Sequence, residues 1–235
     1  MREQLSLIRK HALDFWLARG SVVAVIVLQV LIINRISLGP RWLGPALELA
    51  LLAPLSVATA WTQERSGKAV SDAHWNSVAR LRWGIRYLAV GLTALVSLMN
   101  LGALILLIRA LLSGHSGDTG RTLLLDAVNL WATNVIAFAL WYWSIDRGGP
   151  ADLTDDDAVV DFLFPQMAEH AAKLGKDWSP GFVDYLFVSF TNAAAFSPTD
   201  TMPLTQRAKL LMMVQAGISI MTLAIVASRA VNILA

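Results

Sequence analysis

Residues Pro180–Leu234 read PGFVDYLFVSFTNAAAFSPTDTMPLTQRAKLLMMVQAGISIMTLAIVASRAVNIL. Phe182 to about Ala193 is apolar, aromatic and helical by composition. At about 1.5 Å per residue it measures roughly 18 Å, short of a hydrocarbon core of about 30 Å. A polar hairpin follows from Ala194 to Pro203, containing Ser197, Pro198, Thr199 and Asp200. Leu204 to Asn232 is then long enough to span a bilayer with some tilt. A short helix, a polar loop and a full span form the pattern of a re-entrant pore loop. Non-helical backbone survives at membrane depth only where protein covers it or water reaches it. Either the hairpin lines an aqueous cavity, or it sits outside the membrane with the short helix at the interface.

Working outward, the 235-residue chain is 56% hydrophobic, with a mean hydropathy of +0.55. Several runs approach 20 apolar residues, the signature of an integral membrane protein. There are no cysteines, which excludes disulfides, thiolate metal sites and cysteine catalysis. A net charge of +2 reflects arginines at helix ends, not a nucleic-acid surface. Trp16, Trp42, Trp61, Trp83, Trp141 and Trp143 lie near the ends of apolar runs, where amphipathic rings favour the headgroup level. Trp131 sits mid-span and reads as a core residue.

The expected fold is an all-α membrane protein of five transmembrane helices, a re-entrant pore-loop-like helix and an N-terminal amphipathic helix. Residues 1–19 repeat Leu5, Ile8, Ala12, Phe15 and Trp16 at helical spacing and lead into a first span at 20–34. No small-x-small cleavage site follows that span at Asn34-Arg35-Ile36, which argues against a signal peptide. The second span, 45–62, carries Glu48 and a kinking Pro54. A polar loop at 63–86 precedes the third span at 87–112, and the fourth covers 122–145. The hydrophilic segment 146–181 contains Thr154 before Asp155, Asp156 and Asp157. That is a helix-start signature, with an amphipathic helix expected to about Leu174 and disturbed at Pro165; the alternative reading of the aspartates is a cation-attracting vestibule. The chain thus divides at 121: residues 1–121 hold the amphipathic helix and three spans, and 122–235 the pore-module-like region.

Five spans put the termini on opposite sides. A cytoplasmic N-terminus gathers 14 of the 19 Lys and Arg residues inside, which favours that orientation. Asp126, Asn129 and Thr133 share one face of the fourth span. Asp126 lies about a turn from its start and reads as headgroup-exposed, and Asn129 and Thr133 as interhelical glue. The four histidines show no metal-ligand spacing. Serine, histidine and acid do not converge within a span, so an enzyme is not expected.

The segment FVDYLFVSFTNAAAFSPTDTMPLTQRAKLL (182–211) resembles the pore region of tetrameric potassium channels. Thr191 would end the pore helix, Asp200-Thr201-Met202-Pro203 matches the Asp-x-x-Pro exit, and Gly217 falls at the inner-helix hinge. Most of the chain is similar to a bacterial integral membrane family of unknown function, a resemblance carried by Asp184, Tyr185, Ser189, Phe190, Thr191, Phe196, Thr205 and Arg207. The channel likeness implies a glycine-containing filter, where this chain has Ala195-Phe196-Ser197-Pro198-Thr199. Without glycine, successive carbonyls do not readily face one axis, and proline fixes its own φ near −65°. A carbonyl-ring potassium filter is therefore not expected. Hydroxyls of Ser197 and Thr199 with a ring of Asp200 would line a pore for partly hydrated cations.

The resemblance implies a weakly selective cation channel, a homotetramer in the bacterial inner membrane. Its partners would be the bilayer and monovalent cations, with no cofactor. The alternative is a non-conducting accessory protein or small-solute transporter that retains the pore-loop shape. No helix carries arginine at every third position, so steep voltage gating is not expected.

Overall fold

The computed structural model describes residues 16–27, 46, 49, 72–113, 120–146, 159–167, 178–194 and 200–234. Five helices organise them: α1 (Trp16–Val27), α2 (Asp72–Ser113), α3 (Gly120–Ile145), α4 (Phe182–Ala194) and α5 (Gln206–Leu234). Three segments are long and apolar enough to cross a membrane: Tyr87–Arg109 in α2, Leu123–Ile145 in α3 and Gln206–Ser228 in α5. These correspond to the third, fourth and fifth expected spans. The first expected span is described only in its α1 portion, and the second, 45–62, lies outside the described residues apart from positions 46 and 49.

The helices pack antiparallel around α3. On the α2 side, Asn100 Nδ2 donates to the Leu130 carbonyl (3.3 Å) and Trp141 Nε1 donates to Ser97 Oγ (3.0 Å). On the α5 side, Asn134 Nδ2 donates to Ser219 Oγ (2.9 Å), and Arg207 reaches the Ile145 carbonyl. More than half of α3's span is buried (56%), against 22% for α5, so α3 is the central post. Where lipid tails are as apolar as leucine, such interhelical hydrogen bonds and close packing supply the association that burial supplies in water.

One end of the bundle, where α3 finishes, gathers an aromatic core of Phe138, Tyr142, Trp143, Phe162, Phe164, Phe182 and Tyr185, with Ala18 of α1 against it. The rings meet mostly edge to face: Trp143 on Phe182 at 5.5 Å and Phe164 on Tyr185 at 5.3 Å. This geometry sets a ring's positive edge against its neighbour's negative face. The opposite, far end has a smaller aliphatic core of Leu104, Leu107, Leu123, Ala127, Leu130 and Ile225.

Three features depart from the sequence expectations. Helix α2 begins at Asp72, inside the stretch read as a loop at 63–86. Residues 72–83 contain no proline or glycine, so polarity and charge alone marked them as loop, and the arginines at 80 and 82 are good helix formers. Residues 159–167, expected to be helical, form a short strand, β1 (Phe162–Leu163), and a 3-10 turn at Pro165–Met167. Pro165 lacks the N–H a helix needs, and the Asp161 and Phe162 amides are already bonded to the Asp146 carboxylate. Finally, β1 pairs antiparallel with β2 (Met202–Pro203) in the register Phe162↔Pro203 and Leu163↔Met202.

Candidate functional site

Helix α4 starts with its own cap. Gly181 N donates to Asp184 Oδ2 at 2.7 Å, so the carboxylate satisfies one amide left over at the helix start. From there α4 runs antiparallel to α3, and three contacts follow it inward. Tyr185 OH donates to Asp146 Oδ2 (2.6 Å), Ser189 Oγ donates to the Val135 carbonyl (2.6 Å), and Trp131 Nε1 donates to the Ala193 carbonyl (3.3 Å). The step from Asp146 to Trp131 along α3 corresponds to about 22 Å of helix rise. Ala193 is therefore deep in the bundle. The chain is back at the near end by Met202, which pairs with Leu163. It enters and leaves the bundle at the same end.

A carboxylate-centred latch fixes that end. Asp146 Oδ1 accepts from the Asp161 and Phe162 amides at 2.7 and 3.3 Å. Asp161, wholly buried, accepts from Arg207 Nε (2.6 Å) and Nη2 (2.5 Å) and from the Thr205 hydroxyl. Its own carbonyl accepts from Leu204 N (2.8 Å). Thr205 also caps α5, its Oγ1 accepting from Ala208 N (3.3 Å), the usual N-cap arrangement. A fork of guanidinium N–H groups on one carboxylate is among the strongest neutralising geometries available. Two aspartates of the acidic segment, Asp146 and Asp161, are thus structural staples. Asp184 contributes to α4's cap.

At depth, α3, α4 and α5 meet in a second polar cluster centred on Gln215. Its Nε2 donates to the Ser189 carbonyl (2.9 Å) and to Ser189 Oγ (2.7 Å). Its Oε1 accepts from Tyr142 OH (2.5 Å) and Asn192 Nδ2 (2.8 Å). Asn192 Nδ2 also donates to the Met212 carbonyl (3.0 Å), and Asn134 Nδ2 to the Gln215 carbonyl (3.4 Å). Gln215 and Ser189 are fully buried, and both amide N–H groups and the amide oxygen of Gln215 are used. In an apolar surround the bonded amide of Gln215 rigidifies the packing, and breaking it is costly; the buried Oδ1 of Asn134 has no hydrogen-bond partner among the described residues.

The residues singled out from sequence are distributed as follows. Thr191 is at the inner end of α4, but its hydroxyl turns back to the Phe187 and Val188 carbonyls of its own helix (2.8 and 3.0 Å). Phe196, Ser197, Pro198 and Thr199 lie outside the described residues. Asp200 is exposed, two residues before β2. Gly217 lies on an exposed face of α5, where an added Cβ would meet no atom within 4 Å. Thr191 and Gly217 are therefore not brought together. Asp126 is a correction: at 4% exposure it is buried, as are Asn129 and Thr133, because that face of α3 turns into the bundle. Trp143, read as a headgroup-level ring, is also buried, against Phe182.

Gln215, Asn192 and Tyr142 were not singled out. The available signal was an amide inside an apolar span, at Gln215 and Asn134, and another near the end of a short helix, at Asn192. Among the described residues no group of three or more His, Cys, Asp or Glu side chains could hold a metal ion. A small cavity of about 20 Å³ between α1, α2 and α3 is lined mainly by apolar residues such as Val22, Leu92, Val96 and Leu140, with Thr93 and Thr133 beside them, too small and too apolar for a solvated ion. No protein-family model, curated protein or solved structure matches the chain.

Proposed function

We propose that the protein is a pore-loop-type membrane protein, assembled from four copies around an axis, that passes monovalent cations with weak selectivity. The observation that carries this reading is the course of α4: a 13-residue helix wedged beside α3 and α5, with its C-terminal end at depth and its flanking chain at one end of the bundle. A helix C-terminus carries a partial negative charge, and a deep one favours a cation nearby. Asp200 is exposed close to where the chain returns, in keeping with an acidic mouth. The interior between α3, α4 and α5 is filled by the Gln215 cluster, so a pathway would run between copies. Val183, Phe187 and Phe190 of α4 and Met213, Val214 and Ile220 of α5 are exposed in one copy, leaving surface for neighbours or lipid.

The five-span topology belongs to the same proposal. Helix α1 starts at the near end, with Ala18 in the aromatic core, and α2 also runs from the near end to the far end. The sequence predicts the second span between these two helices, at 45–62, outside the described residues apart from positions 46 and 49. In this reading the near end faces the cytoplasm of a bacterial cell. The non-conducting reading draws on the same interior, because the Gln215 cluster fills the space between α3, α4 and α5 with side chains that bond to one another. Chemical crosslinking in membranes, with cation flux from liposomes, separates the two. A tetramer with flux supports the pore, and a monomer sinks it.

A further inference from the structure

We propose that Gln215 is the positioning residue of the α4 tip, the one side chain of α5 that sets where the inner end of α4, held on α3, stands relative to α5. α4 is bound to α3 along its length, through Tyr185–Asp146, Ser189–Val135 and Ala193–Trp131. Its hydrogen bonds to α5 are confined, among the described residues, to one turn of each helix: Ser189 and Asn192 on α4, Met212 and Gln215 on α5. Gln215 is also where α5 meets the Tyr142 hydroxyl of α3. Its amide donates to α4 with the nitrogen and accepts from α3 and α4 with the oxygen, so one planar group ties three helices. A rotation or slide of α5 at this level has to move the amide, and with it the backbone of α4 at Ser189. The inner end, Ala193–Ala194, is one turn further on.

The functional consequence rests on the pore reading, since a displaced α4 tip would change what lines a pathway. The positional assignment itself does not, and its test is chosen to keep the two apart. The chain has no cysteine, so a single cysteine can be introduced at Ala194, at the tip, or at Asp200, at the exposed near end. Each is placed in the full chain in liposomes and titrated with a small charged methanethiosulfonate. Gln215→Met keeps the length and removes both donors and the acceptor. Gln215→Glu keeps the acceptor and loses the donors to Ser189. Tyr142→Phe deletes one hydroxyl only.

Gln215→Met is expected to raise the labelling rate at the tip roughly tenfold, the scale of losing one or two buried hydrogen bonds, with the Asp200 reporter unchanged. Tyr142→Phe should give a smaller rise at the tip alone, and Gln215→Glu, which sets a buried carboxylate against the Ser189 carbonyl, a rise at least as large as Gln215→Met. Equal tip rates in the parent and all three variants overturn the assignment, as does a parallel rise at both reporters, which would signal general loosening. If Gln215→Met does not fold, Tyr142→Phe decides by the same criterion. Cation flux is recorded on the same vesicles. Its absence in the parent removes conduction, while the labelling result still decides the role of Gln215.

Discussion

The indole Nε1 of Trp131 donates to the carbonyl of Ala193 at 3.3 Å, pinning the inner end of α4 to the middle of α3. The same indole meets Phe190 edge to face at 5.6 Å. Trp131→Phe keeps an aromatic face for Phe190 but leaves the carbonyl without that donor. We expect a loss of about 1 kcal/mol in detergent-solubilised unfolding. Trp131→Ala should cost about 3 kcal/mol or more, because it also leaves a void.

Arg207→Gln removes the guanidinium that neutralises the wholly buried Asp161. Arg207 is half exposed, and Thr205 still donates to Asp161, so the expected cost, about 2–4 kcal/mol, is set mainly by the stranded carboxylate. Adding Asp161→Asn removes that charge. The double variant should therefore be more stable than Arg207→Gln alone, and a double-mutant cycle on unfolding free energies reads the coupling directly. Simple additivity would contradict the latch.

Tyr185→Phe deletes the hydroxyl that donates to Asp146 Oδ2 (2.6 Å) while preserving the ring contacts with Phe162 and Phe164. We expect a destabilisation of about 1–3 kcal/mol, with helix content by circular dichroism unchanged. Hydrogen exchange should rise at the Asp161 and Phe162 amides, whose acceptor loses a partner.

Gly217→Ala tests the hinge expectation. With no atom within 4 Å of an added Cβ, the substitution has room, and a helix-interior glycine replaced by alanine should stabilise by up to about 1 kcal/mol. If Gly217 acts as a bending point, the same variant alters flux kinetics despite that gain. A stabilised protein with unchanged flux would leave Gly217 an ordinary exposed helix position.

The parts of the fold legible in the sequence were those set by local pattern. Residues 182–193 read as a short apolar helix, and α4 occupies Phe182–Ala194. Apolar length likewise located the spans of α2, α3 and α5. The latch was not legible, because Asp161 and Arg207 are far apart in sequence and nothing local to either names the other. The cap reading concerned Asp155, Asp156 and Asp157, which lie outside the described residues, whereas nothing in the segment's pattern marked Asp146 and Asp161, which folding drew inward to bind backbone amides and a guanidinium. Asp126 misled for a related reason: its position near a helix start predicts headgroup contact, but the face it occupies, shared with Asn129 and Thr133, points into the bundle. The Gln215 cluster depends on how three helices are phased against one another, which spacing along any one of them does not state.

The measurement that bears most directly on the proposed function is cation flux into liposomes containing the purified protein, wild type beside Asp200→Asn, with oligomeric state determined on the same preparation. A tetramer whose flux falls when the exposed carboxylate is neutralised is the predicted result, because an acidic mouth concentrates cations. A folded monomer without flux, or a tetramer whose flux is indifferent to Asp200, would contradict it.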